Sequence, residues 1–365
     1  MRYLIFAYIL TFSFCVSAQE KEKNPFTIDA NYFYGNILEH NPDIAHLITD
    51  HQTGLILSYN QKTFGKKSWE SRYNYPDFGA SLIYQDMKNE FLGKNYGLYA
   101  HFNFYFLKRN LKFRIAQGLA YNTNPYDKVT NFRNNAYGSD LLSSTYLQLN
   151  YDKQNIYKGF GVQAGISIIH YSNANFKAPN NSTNTFTFNV GATYMFGYDK
   201  QPDYIASTEE KYFKEKIKYN FAFRSGINES DVNNSGQYAF YIVSAYADKR
   251  LNRKSAIHVG TDVFFSNFLK ELIKYYSVAF PLDNVSGNED HKRVGVFVGH
   301  ELFINKISLV TQLGYYVYYP YDFEGRVYNR VGLKYFFGDE LYGAITLKSH
   351  AAKAEAVEFG IGIRL

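Results

Sequence analysis

"AVEFGIGIRL", Ala356–Leu365, alternates without a break. Successive side chains of a β-strand point to opposite faces. Val357, Phe359, Ile361, Ile363 and Leu365 therefore share one face, and Glu358, Gly360, Gly362 and Arg364 the other. An apolar exterior around a polar interior is what a bilayer demands of a closed sheet, so the stretch reads as a membrane strand with lipid on one side and a water-filled interior on the other.

The same rhythm extends over the chain. Segments of alternating residues recur from Phe26 to Leu365, separated by clusters of Gly, Asn, Asp and Lys. Composition agrees: of 365 residues 36 are Tyr and 32 Phe, with only 8 Pro, while the mean hydropathy stays at −0.35. No apolar run after Ser17 approaches the roughly 20 residues of a membrane helix. The sequence thus predicts an all-β fold, a transmembrane antiparallel outer-membrane β-barrel of about 16 strands, with fourteen as the alternative count. Connections alternate between tight and wide. Tight ones are expected at Lys108-Arg109-Asn110, Asp152 to Asn155, Asn305-Lys306 and Gly338-Asp339-Glu340, and wide ones over Asn122 to Leu142, Asn173 to Thr183 and Leu269 to His291. Short turns belong on the periplasmic side and long loops outside. Two long turns, Phe64 to Asp77 and Tyr198 to Lys216, fall on the inner side as exceptions, and Ala206 to Lys218 reads either as a short amphipathic helix or as a solvated turn.

Ahead of the barrel, residues 1–18 carry the marks of a secretory signal: Arg2, an apolar stretch from Tyr3 to Phe14, and the small-residue site Val16-Ser17-Ala18. Bulky Phe14 before Cys15 speaks against a lipoprotein site. The only Cys leaves with the signal, so no disulfide is expected. Residues 19–365 are read as a single barrel domain. Removing Arg2 leaves 38 basic against 33 acidic residues, too scattered an excess to indicate nucleic acid.

One strand ends oddly. "IIHYSNANFKAPN", Ile168–Asn180, turns from β-branched residues to a base, a hydroxyl and amides. By alternation Val162, Ala164, Ile166, Ile168, His170 and Ser172 share the lipid-facing row. In the next strand, "NTFTFNVGATYMF", Asn184 joins the row of Phe186, Phe188, Val190, Ala192 and Tyr194. His170, Ser172 and Asn184 are therefore expected on the membrane-facing surface at headgroup depth. Residues i and i+2 of a strand lie about 6.6 Å apart along its axis, a gap that His and Ser side chains can close. A serine hydroxyl becomes a nucleophile when a base takes its proton, and the base works best when a third group fixes its tautomer. N–H groups of Asn173, Ala174 and Asn175 could receive an oxyanion, and Lys177 could meet a lipid phosphate. The bland alternative is that Ser, His and Asn simply decorate a strand end.

"HYSNAN" followed by "APNNSTN" resembles the H-x-S-N signature of outer-membrane lipid A 3-O-deacylases, also called acyloxyacyl hydrolase-like proteins, which are β-barrel serine hydrolases. The resemblance is strongest from Ile169 to Phe196 and extends to the "LKSHAAKAEAVEFGIG" ending. It implies His170 as base and Ser172 as nucleophile. Asn184 stands where the smaller family enzymes carry Glu, and Asn175 where Gly often follows. Those enzymes are eight-stranded, so the additional half of this chain is expected to enlarge the barrel. The implied activity is ester hydrolysis of a lipid A acyl chain at the outer leaflet, with lipopolysaccharide as partner; no motif indicates a cofactor or metal, and a homodimer is left open. Alternatives left open are a phospholipase and a passive channel or structural barrel.

Other constellations carry less. Ser349, His350 and Glu358 imitate a triad by type, yet neighbours on a strand point apart. His258 and Asp262 in "AIHVGTDVFF" are expected to line a wet lumen. There is no H-E-x-x-H, phosphate loop or dinucleotide fingerprint.

Overall fold

The structure, a computed structural model, describes residues 25–209, 212–283, 285–351 and 353–365. The predicted signal segment, residues 1–18, lies outside them. Sixteen antiparallel strands make up the fold. The first eight are β1 (Phe26–Ile37), β2 (Gln52–Gln61), β3 (Asp77–Asp86), β4 (Lys94–Phe106), β5 (Leu111–Asn122), β6 (Leu141–Tyr157), β7 (Phe160–Ser172) and β8 (Thr183–Phe196). The second eight are β9 (Lys218–Asn228), β10 (Tyr238–Arg250), β11 (Ser255–Ser266), β12 (Lys292–Ile304), β13 (Ile307–Tyr318), β14 (Val327–Phe336), β15 (Leu341–His350) and β16 (Lys353–Arg364). Two helices are short: α1 (Ser68–Arg72) in the β2–β3 turn, and α2 (Asn267–Ala279), which caps the second half from outside. No helix among the described residues is long and apolar enough to cross a membrane.

The expected strand number holds; the closure differs. The strands form not one cylinder but two closed barrels, β1 to β8 and β9 to β16. β1 pairs with β8, Phe26 opposite Phe196, and β16 pairs with β9, Phe359 opposite Ser225. The reason lies in the size of the inward side chains. An eight-stranded barrel is just wide enough for side chains to fill it, whereas a sixteen-stranded one leaves a channel. Here Arg114, Arg224, Arg293 and Arg330 are among the largest fully buried residues, beside Tyr99, Tyr146 and Tyr328.

The expected water-filled interior is accordingly replaced by packed ion pairs. In the first barrel Arg114 donates to Asp29 (3.0 Å), Asn60 (2.7 Å), Asn103 (2.7 Å) and Ser58 (2.6 Å). In the second, Arg330 grips Glu358 through two bonds of 2.6 and 3.0 Å and Asp262 at 2.8 Å. Asp262 and His258 do face inward, but into this packing rather than a wet lumen. Toward the outer end of the first barrel the polar filling gives way to an apolar core that includes Phe33, Ile56, Ile83, Leu142 and Ile169.

Outside, the order is inverted. Leu98 is 60% exposed, Phe188 65% and Phe359 61%, while Arg114 is 0% exposed. Apolar residues facing out and guanidinium groups facing in make sense only in lipid. Along β7 the row Phe160, Val162, Ala164, Ile166 and Ile168 is exposed, and Gly161, Gln163, Ser167, Ile169 and Tyr171 are buried.

Two local readings change. β6 continues through the expected turn at Asp152 to Asn155 and ends at Tyr157, with the register slipping between Lys153 and Tyr157. The described part of 206–217 forms no helix; it belongs to the linker between barrels. The β2–β3 turn helps to tie the barrels: Arg72 pairs with Glu209 of the linker and reaches the Arg253 carbonyl of the second barrel (3.2 Å), and the Tyr73 hydroxyl donates to the Phe303 carbonyl (2.8 Å).

Candidate functional site

The alternation of β7 carries His170 and Ser172 onto the lipid-facing row at its outer end, and that of β8 does the same for Asn184. Antiparallel pairing sets His170 directly opposite Asn184 on one side and Thr145 on the other. Directly opposed residues on one face are close enough to interact. The His170 Nδ1 to Asn184 Oδ1 distance is 2.8 Å. An amide oxygen only accepts, so this contact puts the proton on Nδ1 and leaves Nε2 with a lone pair. Both side chains remain half-exposed.

Ser172 is near, but otherwise engaged. Its hydroxyl is buried and donates to Asn180 Oδ1 (3.0 Å) while accepting from the Ala174 N–H (2.9 Å). No hydrogen bond joins it to the imidazole. Asn180 also takes the Asn173 N–H (2.9 Å), and its amide nitrogen donates to Asn175 Oδ1 (3.1 Å). Asn180 is therefore the hub of the loop after β7.

The expected oxyanion groups divide. The Ala174 N–H already meets the Ser172 oxygen. The Asn173 side chain donates to the Lys177 carbonyl (2.5 Å), and that of Asn175 points to Asp231 of the second barrel (3.4 Å). Lys177 is exposed. Ala174 and Asn175 both adopt left-handed backbone, with φ of 53° and 58°, a conformation unfavourable for Ala.

The polar surface is wider than the sequence reading allowed. Gln117 of β5 pairs with Thr145 of β6, which pairs with His170, which pairs with Asn184, and Ser143 pairs with Ser172. All face lipid. Gln117 donates to Ser143 (3.1 Å) and accepts from the Thr145 hydroxyl. Gln117 interrupts the outward row Ile115, Gln117, Leu119, so counting β5 as β7 was counted would have found it. Asn180 sits in an aperiodic loop and gave no such signal.

A second Ser–His–Asn set exists inside the first barrel. Ser81 meets His101 Nδ1 at 2.6 Å and His101 Nε2 meets Asn60 Oδ1 at 2.9 Å, but all three are buried in the Arg114 network, away from lipid. Ser349 and His350 do not meet: Ser349 accepts from Asn329 (2.6 Å), whereas His350 Nε2 lies 3.2 Å from the Tyr316 hydroxyl. Among the described residues no group of His, Cys, Asp and Glu could hold a metal.

Two family models, laid end to end, match the chain. One, lipid A 3-O-deacylase (PagL), matches residues 53–193; the other, acyloxyacyl hydrolase, C-terminal domain, matches residues 217–365. The chain belongs to the lipid A 3-O-deacylase and acyloxyacyl hydrolase-like family. The boundary between the two matches falls in the linker between the barrels. Membership in the deacylase family supports hydrolysis of an ester bond of lipid A, and with sixteen membrane-type strands it supports an outer-membrane location. No curated protein matches the chain. Among solved structures, two mutants of Rhodopseudomonas blastica porin align over 93% of this chain and 99% of theirs at 9% identity. Their TM-score of 0.18 is too low to bear on the deacylase fold.

Proposed function

We propose that the protein is an outer-membrane serine esterase that removes an ester-linked acyl chain from lipid A in the outer leaflet, with Ser172 as nucleophile, His170 as base and Asn184 as the group orienting the base. The observation that carries the reading is the 2.8 Å contact of His170 Nδ1 with Asn184 on the lipid-facing surface. A polar pair there is costly as decoration, and it leaves Nε2 free to act toward Ser172. The site faces sideways, so a long-chain ester can reach it without leaving the membrane.

The chemistry follows from the atoms. The Ser172 hydroxyl turns from Asn180 toward His170, a rotation about its side-chain bond. As Oγ bonds to the acyl carbonyl carbon, its proton passes to Nε2, and the imidazolium is steadied by Asn184. The Ala174 N–H is the nearest donor for the oxyanion. Collapse expels the sugar oxygen, which takes the proton from Nε2. Water then attacks the acyl-enzyme by the same relay and frees the fatty acid.

A conducting channel fits less well, because both interiors are filled by buried ion pairs. The deciding experiment is mass spectrometry of fatty acids released from purified lipopolysaccharide by the folded protein, with Ser172→Ala and His170→Ala beside it. Release that disappears in both variants at unchanged gel mobility supports the proposal. Release from phospholipid alone makes the protein a phospholipase. No release from either lipid, wild type and Ser172→Ala alike, leaves a structural barrel.

A further inference from the structure

The second barrel touches the candidate site through one loop, residues 229–237 between β9 and β10. It meets the Asn173–Asn181 loop, which carries the candidate oxyanion donors and holds the Ser172 hydroxyl. The Glu229 N–H donates to the Asn175 carbonyl (2.9 Å). The Glu229 carboxylate accepts from the Ala178 N–H (2.9 Å) with one oxygen and from the Gly236 N–H (3.1 Å) with the other. Gln237 donates to the Phe176 carbonyl (2.7 Å). Asn175, Phe176 and Ala178 of the site loop are thus all bonded to the other barrel.

Glu229 is 3% exposed, and no ion pair joins it among the described residues. A carboxylate buried without a cation is costly unless its acceptor sites are used. Here each oxygen takes a main-chain N–H from a different loop, a task that Gln cannot repeat because one of its two ends is a donor. The connection to the nucleophile is short. The Glu229 carboxylate holds the Ala178 N–H, two residues before Asn180, and Asn180 holds Ser172; the Glu229 main-chain bond to the Asn175 carbonyl stays in place when the side chain is replaced. The loop needs such a hold, since Ala174 and Asn175 sit in left-handed backbone that would relax if freed. On its other side the loop is tied to the first barrel, Asn181 and Ser182 donating to the carbonyls of Asn135 and Ala136 at 3.2 and 3.1 Å.

We propose that the β9–β10 loop is a wall of the active site and that Glu229 is the positioning residue through which the second barrel sets the loop beside Ser172. This rests on the esterase reading. It gives the second barrel a purpose that a transmembrane pore would not: it is the scaffold from which the site loop is held on its far side.

The test uses the full chain refolded in detergent, with lipopolysaccharide as substrate and a fluorophosphonate probe that labels activated serines. Glu229→Gln and Glu229→Ala should lower kcat about tenfold, less than the roughly 10²–10³ of removing an oxyanion donor outright because the Ala174 N–H is shifted and not deleted, with KM within about twofold. Ser172 labelling should slow in parallel, while heat-modifiable gel mobility stays that of the wild type. Exposed Gln237→Leu should show the same split at about threefold. Folded Glu229 variants with wild-type kcat and labelling overturn the proposal while leaving the esterase reading intact. If both Glu229 variants fail to fold, unchanged kcat in folded Gln237→Leu overturns it, and a lowered kcat at constant KM upholds it. Wild-type protein as inert as Ser172→Ala removes the esterase reading, and this proposal with it.

Discussion

Replacing Asn184 by Asp changes one atom type and almost no shape, which makes it a sharp probe of the base. The His170 Nδ1 to Asn184 Oδ1 contact is 2.8 Å. An imidazolium and a carboxylate so placed have charge centres about 4 Å apart, worth about 4 kcal/mol at an effective dielectric near 20. Much of that is returned, because both side chains are half-exposed and water or headgroups solvate the carboxylate before reaction. We take roughly 1–2 kcal/mol as the share that survives in the transition state, a factor of about five to thirty in kcat. Asn184→Asp should therefore be faster than the wild type. Asn184→Leu should be at least about tenfold slower, having lost both the hydrogen bond and the fixed tautomer. Fatty-acid release at saturating lipopolysaccharide measures kcat, and gel mobility before and after heating reports folding. A folded Asn184→Leu with wild-type kcat would refute the orienting role. A folded Asn184→Asp slower than the wild type would refute the electrostatic argument, because the geometry has been kept.

The interiors make their own predictions. Arg114→Met strands the Asp29 carboxylate inside the first barrel and should cost about 3–5 kcal/mol, seen as a lower urea midpoint for loss of the heat-modifiable band; adding Asp29→Asn should recover most of it, and a single variant as stable as the wild type would contradict the ion-pair account. In planar bilayers the wild-type protein should give no discrete conductance steps, since Arg114, Arg330 and their partners fill both interiors; stable steps would show that the packing opens in a membrane.

Much of this was legible in the sequence because a strand has a period of two. Once "AVEFGIGIRL" and "GVQAGISIIHYS" are read by alternate residues, the outward rows follow, and with them the side of the sheet on which His170, Ser172 and Asn184 emerge. Register across the β7–β8 hairpin was not fixed by this, since alternation leaves it open by steps of two residues; only the pairing itself sets His170 opposite Asn184. Closure was not legible. That β1 pairs with β8 and not with β16 depends on contacts between distant segments and on whether Arg114 and Tyr146 can fill the space, and neither leaves a periodic mark. The loop was equally opaque. Asn180 and Glu229 are polar residues in irregular segments, and only three-dimensional packing gives the first to Ser172 and the second to Ala178.

The two closures also bear on how a lipid could arrive. One sixteen-stranded cylinder would have placed a water channel behind the site and left the Asn173–Asn181 loop with support from one side only. Two filled barrels remove the channel and set a second rigid body within hydrogen-bond reach of that loop. The membrane-spanning walls of both remain apolar and exposed, from Phe188 and Val190 on β8 to Phe221 and Phe223 on β9. In the proposed reaction, acyl chains can therefore lie against either wall while the ester is held at the outer rim. The arrangement separates two requirements that conflict in a single sheet: strands that must be slippery to lipid, and a loop that, in the proposed esterase, must be held still enough for Ser172 to reach His170.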